Sequence, residues 1–95
     1  MIIVAGWIEV AADSRADYLD GCEPVIRAAR AQPGCLDFCV SADPLDGGRI
    51  YVYERWDRVE SVERFRESGP SDEQQAAIVA AEVAQYEVAG VTSLT

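Results

Sequence analysis

The chain contains no histidine and no lysine. Without histidine it lacks the commonest metal ligand, the usual general base near neutral pH and the usual haem ligand. A serine or cysteine triad built on histidine is excluded as well. Without lysine, the 8 positive charges are all arginines, and they face 17 acids for a net charge of −9. No basic surplus exists to neutralise phosphates, so nucleic acid is not an expected partner. Anionic membrane surfaces are disfavoured for the same reason. No apolar run approaches the roughly 20 residues of a membrane span. The opening MIIVAGWIEV has neither a basic leader nor a cleavage site, so it is expected to be a strand of the fold and not a signal peptide. Cysteine is scarce and odd in number: Cys22, Cys35 and Cys39, with no C-x-x-C. Cys35 and Cys39 stand four apart on an expected strand, roughly 13 Å from each other, too far for a disulfide. Reduced, mostly buried thiols and a cytoplasmic location are expected. A Gly-rich phosphate loop is missing, because Gly47-Gly48 reads as a turn, and the scattered acids lack the spacing of a calcium loop.

What is present is a globular composition, 49% hydrophobic and 26% charged, over 95 residues, which is expected to form one domain over 1–95. Ile2 to Val10 alternates as a strand, with Ile2, Val4, Ile8 and Val10 on one face and Ile3, Ala5 and Trp7 on the other. Asp13 and Ser14 supply cap chemistry for a helix over 15–31, whose Tyr18, Cys22, Val25, Ile26 and Ala29 recur at helical spacing. Gly21 and Pro24 weaken its middle, and a bend is expected near 20–24. Gln32-Pro33-Gly34 stops it. A strand over 35–42, with Leu36, Phe38 and Val40 on one face, leads through the turn formers of 43–48 into RIYVYERW, Arg49 to Trp56. Asp57 and Glu60 form a D-x-x-E box before a helix whose buried stripe is Val59, Val62 and Phe65. Ser68-Gly69-Pro70 ends that helix, and Ser71 opens a second, expected to run through Ala80 and Ala81. Alternation returns from Val83 to Leu94.

The order strand, helix, strand, strand, helix pair, strand predicts an α+β, ferredoxin-like βαββαβ fold. It is a four-stranded antiparallel sheet with helices on one face. Helices cover only one face, yet the first strand, RIYVYERW and the last strand are apolar on both. A chain of this length removes only about two-thirds of its surface from water. A second apolar face therefore predicts a homodimer packed sheet to sheet, with a cavity on the other side, between each sheet and its own helices.

Several segments together resemble the antibiotic biosynthesis monooxygenase (ABM) family over essentially the whole chain. They are IIVAGWIEV, RAQPGC, LDFCVSADP, DGGR, VYERWDRVESVERF and YEVAGV. The resemblance implies a dimeric α/β barrel. It also implies oxygenation of an aromatic polyketide or quinol by dioxygen, with neither metal nor flavin; other relatives degrade haem, isomerise or only bind small molecules. Many members carry S-P-H after the second helix, where this chain reads Ser68-Gly69-Pro70-Ser71. The haem-degrading set is also missing: its positions fall near Gln75, Phe65 and Gly6-Trp7. Haem degradation by that mechanism is not expected.

A cofactor-free oxygenase needs an apolar chamber, a proton acceptor and donors for the substrate oxygens. Glu54 is the candidate acceptor, because a carboxylate facing the helices would be desolvated and its pKa raised; the alternative is that it pairs with an arginine or caps a backbone group, at the dimer contact or the sheet edge. Trp56, Val52, Phe65, Val62, Tyr18 and Cys39 are candidate pocket residues, with core packing as the other reading. Trp7, Tyr51, Tyr53 and Arg55 fall on the opposite face and are assigned to the dimer contact. The expected activity is cofactor-independent oxygenation of a small aromatic phenol. The rivals are a non-catalytic binding or regulatory dimer and an isomerase of a small carbonyl compound.

Overall fold

A computed structural model describes residues 1–66 and 72–95, side chains excepted at 72 and 73. Each alternating segment is a strand: β1 (Ile2–Glu9), β2 (Cys35–Ala42), β3 (Arg49–Trp56) and β4 (Ala80–Glu87). The helices are α1 (Arg15–Arg30), α2 (Val59–Arg66) and α3 (Asp72–Ala77), with a 3-10 turn at Ala12–Ser14. The strands form one antiparallel sheet in the order β2-β3-β1-β4. This is the ferredoxin-like α+β arrangement.

The pleat decides what is buried. Ile2, Val4 and Ile8 of β1 share the covered face with Ile50, Glu54 and Trp56 of β3 and Phe38 of β2, and all are buried. Ala29 of α1 and Val62 and Phe65 of α2 close the core over them. The Phe65 ring stands 5.4 Å from Trp56 and 5.6 Å from Phe38, centroid to centroid, the latter edge-on. A second cluster of Ile8, Val10 and Ile50 packs against Tyr18 and Leu19.

Side-chain to backbone bonds fix the layers. The Arg15 guanidinium donates to the carbonyls of Asp43, Asp46 and Arg49, tying the start of α1 to the β2–β3 turn. Inside that turn, the Asp43 carboxylate accepts from the amides of Leu45 and Asp46. Arg30 Nε donates to the Phe38 carbonyl at 2.9 Å and pins the end of α1 to β2.

Three elements depart from expectation. The Ser14 side chain makes no cap hydrogen bond; the 3-10 turn precedes α1 instead. Leu36 is 49% exposed, because the β2–β3 register shifts between Cys35 and Asp37, and Cys35 takes the place against the core. Helix α3 stops at Ala77, and Ala80 and Ala81 are strand, since the free edge of β1 needs backbone partners along its whole length. Pairing overrides the helix preference of alanine there. The strand accordingly ends at Glu87, and residues from Val88 onward lie outside it. Helix α1 includes Pro24 within its span. The stop at 68–70 and the cap at Ser71 fall outside the described residues.

Gly34 has φ +88°, and a Cβ there would meet the Ser61 hydroxyl and the Asp57 carboxylate. Those two groups bond each other at 2.6 Å, which holds the Asp57 carboxyl below its usual range, and the Asp57 amide donates to the Gly34 carbonyl. Gly34→Ala is therefore expected to lower unfolding free energy by roughly 1–3 kcal/mol. Urea denaturation would measure this, and a loss below a few tenths would show that the loop relaxes freely.

Candidate active site

One carboxylate of the covered face is buried. Glu54 lies between Val4 of β1 and Phe38 of β3's other neighbour, β2, and is 2% exposed. A buried charge needs donors, and three hydrogen bonds reach it. Trp56 Nε1 donates to Oε1 at 3.1 Å, and Arg66 Nη2 bridges Oε1 and Oε2 at 3.0 Å each. Arg66 stands at the end of α2, with its side chain 50% exposed. Oε1 thus accepts two bonds and Oε2 one, which leaves acceptor capacity on Oε2.

Beside this pair lies a cavity of about 380 Å³ between α1 and the sheet, a size ordinary for a small-molecule site. Its walls are largely apolar, including Ile8, Val25, Phe38, Val40, Val52 and Phe65. The polar groups on it are Tyr18, Cys22, Gln32, Arg66 and Gln74. A second hollow, of about 390 Å³, shares Ile8, Tyr18, Val52 and Arg66 with the first and adds Glu54 and Gln85. Tyr18 and Arg66 therefore stand where an apolar chamber meets the carboxylate. Gly6 puts no side chain on the covered face between Val4 and Ile8, two residues of that second wall. Burial, reinforced by Cys22, pushes the Tyr18 phenol above its usual pKa. Burial also pushes the Cys22 thiol up, against a hydrogen bond from the Gln74 amide at 3.5 Å that lowers it. Both groups stay neutral near pH 7 and face the cavity as hydroxyl and thiol.

Of the residues singled out in the sequence, Tyr18, Val52 and Phe65 line the first cavity, and Glu54 lines the second. Trp56 and Val62 do not line either; they are fully buried in the core behind Phe65. Cys39 is not in the cavity. It pairs with Tyr53 on the opposite face, where the pleat must put a neighbour of the inward Phe38. Trp7, Tyr51, Tyr53 and Arg55 also stand on that opposite face. Tyr51 is 40% and Tyr53 37% exposed, and the Arg49 guanidinium covers the Trp7 ring at 4.2 Å. The buried Nε atoms of Arg49 and Arg55 have no hydrogen-bond partner among the described residues. Arg66 and Gln74 were missed by sequence reasoning. The signal for Arg66 was its place four residues after Val62, beside Phe65 on the buried stripe of α2. Among the described residues, no three histidine, cysteine, aspartate or glutamate side chains come together as a metal site.

A family model for antibiotic biosynthesis monooxygenases matches residues 1–85. The chain belongs to the ABM family. Solved structures share its fold. A provisionally named antibiotic biosynthesis monooxygenase of Deinococcus radiodurans superposes with a TM-score of 0.80 at 19% identity, covering 100% of this chain and 99% of that one. Another so named, from Nitrosomonas europaea, gives 0.80 at 13% identity, covering 95% and 100%. One from Chloroflexus aurantiacus gives 0.74 at 24% identity, covering 99% and 98%. At these identities the likeness concerns the fold alone. No curated protein matches.

In this ABM chain the Glu54–Arg66 pair makes a stability prediction. Arg66→Ala strands a buried carboxylate and is expected to destabilise by about 2 kcal/mol, less than for a fully buried pair because Arg66 is half exposed. Adding Glu54→Gln should restore much of that loss. A double-mutant cycle by urea unfolding measures the coupling, and additive effects would mean that Arg66 does not carry the charge.

Proposed function

We propose that this single-domain ABM chain is a homodimeric, cofactor-independent monooxygenase that oxidises a small aromatic phenol or quinol with dioxygen. The observation that carries the reading is a carboxylate, Glu54, buried in a hollow that shares Ile8, Tyr18, Val52 and Arg66 with a largely apolar cavity of about 380 Å³. A phenol seated against Val52 and Phe65 would direct its hydroxyl toward Glu54 Oε2. The carboxylate takes the proton. The resulting anion passes one electron to dioxygen, the two radicals combine at an activated ring carbon that still bears a hydrogen, and the peroxide anion takes the proton back from Glu54 to become a hydroperoxide. Loss of water from the hydroperoxide leaves a carbonyl, so one oxygen atom enters the product and the other leaves as water. The Tyr18 hydroxyl and Cys22 thiol are neutral donors toward the substrate oxygens. The apolar walls keep bulk water from quenching the anion.

The dimer reading rests on the other face. Trp7, Tyr51, Tyr53 and Tyr86 form an aromatic surface there, and Arg49 and Arg55 hold unpartnered buried Nε atoms in it. Such a surface suits a second copy better than water. Three free cysteines and the lack of a helix long and apolar enough to cross a membrane, among the described residues, support a cytoplasmic place.

A second reading is favoured by one observation: Glu54 is already held by three hydrogen bonds from Trp56 and Arg66. A carboxylate so held suits a non-catalytic small-molecule-binding dimer. Oxygen uptake with metal-free protein and a panel of hydroquinones and anthrone-like phenols separates the two. The oxygenase reading expects uptake above the buffer rate and a fall of about 100-fold or more in Glu54→Gln. No uptake across the panel leaves the binding reading. For the assembly, sedimentation at micromolar concentration is expected to give two subunits, and Tyr53→Asp to give one. A lone subunit in the parent would overturn the dimer.

A further inference from the structure

Arg66 spends only one of its three nitrogens on Glu54. Its Nε and Nη1 make no hydrogen bond among the described residues, although the side chain borders both the apolar cavity and the hollow that holds Glu54. A guanidinium has five N–H donors in a rigid fork and is charged at every working pH. Two sets of donors on one cation can serve two acceptors in turn. The first acceptor is already in place. Because Arg66 is half exposed, water serves the other donors until an oxygen that enters the cavity displaces it.

We propose that Arg66 is the specificity-determining residue of the site, exchanging its counter-ion from the Glu54 carboxylate to the phenolate oxygen of an aromatic substrate as Glu54 takes the proton. The inference rests on the oxygenase reading for its chemistry, though not for its test. Before transfer, the cluster holds a guanidinium, a carboxylate and a neutral phenol. After transfer, it holds a guanidinium, a carboxylic acid and a phenolate. The proton moves from the phenol oxygen to Oε2, and the net charge of the cluster does not change. No charge is created in a low-dielectric site; one negative charge moves from one partner of Arg66 to another. The protonated carboxyl no longer needs the cation, and the phenolate does. Trp56 Nε1 stays on Oε1 throughout and holds the carboxyl in place. The substrate class follows: an aromatic ring system for the apolar walls, with an ionisable hydroxyl at the edge that faces β3. A ring whose only polar group is an ether or ester would leave Arg66 without its second acceptor.

The test is anaerobic and needs no turnover. A nitrophenol and a nitronaphthol serve as unreactive probes, because their anions absorb visible light and so report ionisation in the bound state. Glu54→Gln mimics the charge of the protonated carboxyl and frees Arg66 for the probe. It is expected to bind the phenolate form about tenfold or more tighter than the parent, and to make the bound probe ionise at lower pH than the free one. The double variant Glu54→Gln/Arg66→Gln, which leaves no stranded charge, is expected to lose that preference while binding the methyl ether of the same probe within about twofold of Glu54→Gln. Arg66→Lys with Glu54→Gln should recover part of it. Equal phenolate affinity in Glu54→Gln and the double variant would overturn the counter-ion exchange, whatever the oxygen-uptake result. Phenolate binding as expected, with no oxygen uptake by the parent, would sink the oxygenase reading and leave the exchange standing.

Discussion

A carboxylate with almost no contact with water constrains everything around it. Glu54 cannot stay charged under the helices unless donors reach it, and two elements supply them. Trp56, two residues along the same strand, offers its indole N–H from the core. Arg66 comes from the far end of α2, 12 residues on. Helix α2 must therefore lie so that its last turn reaches Glu54, near the end of β3. The same placement seats Val62 and Phe65 on Trp56, so apolar packing and charge pairing agree. Such agreement between independent demands is what gives a small domain a single native arrangement.

The cavity follows from the same placement. Helix α1 is held at its start by Arg15 on the hairpin turn and at its end by Arg30 on β2. Between those anchors its middle stands off the sheet, over Val40 and Val52. Tyr18 and Cys22 point into the space, and neither can ionise readily there. The chamber thus carries neutral donors and the Arg66 guanidinium, whose partner Glu54 lines the adjoining hollow. An apolar space with a single charged edge sorts molecules by shape first and by the position of one polar group second.

The other face of the sheet obeys different rules. Among the described residues no element covers it, yet Trp7, Tyr51, Tyr53 and Tyr86 stand there, and the Arg49 guanidinium lies over the Trp7 ring. Strand β4 is exposed along most of its length. Helices α1 and α2 pack over β2 and β3, and β4 is the strand furthest from them in the sheet order. The fold is thus asymmetric within its own sheet as well as across it.

Much of this could be read from residue order. The period of two in Ile2 to Val10 and in RIYVYERW determined which side chains face inward, including Glu54. The period in 59–66 placed Val62 and Phe65 on the buried stripe. Cys39 was legible too, since Phe38 and Val40 cannot face the core with Cys39 between them on the same side. Tertiary structure alone decided the rest. Leu36 left the core because β2 slips register beside it, and a bulge shows no local pattern. Ala80 and Ala81 joined β4 because the edge of β1 needed backbone partners, a demand made by residues some 70 positions earlier in the chain. Arg66 met Glu54 for a like reason. Side-chain direction along a strand or helix is a local property of the backbone, whereas the meeting of two charges on different elements depends on how those elements are rotated and stacked, and no local period encodes that.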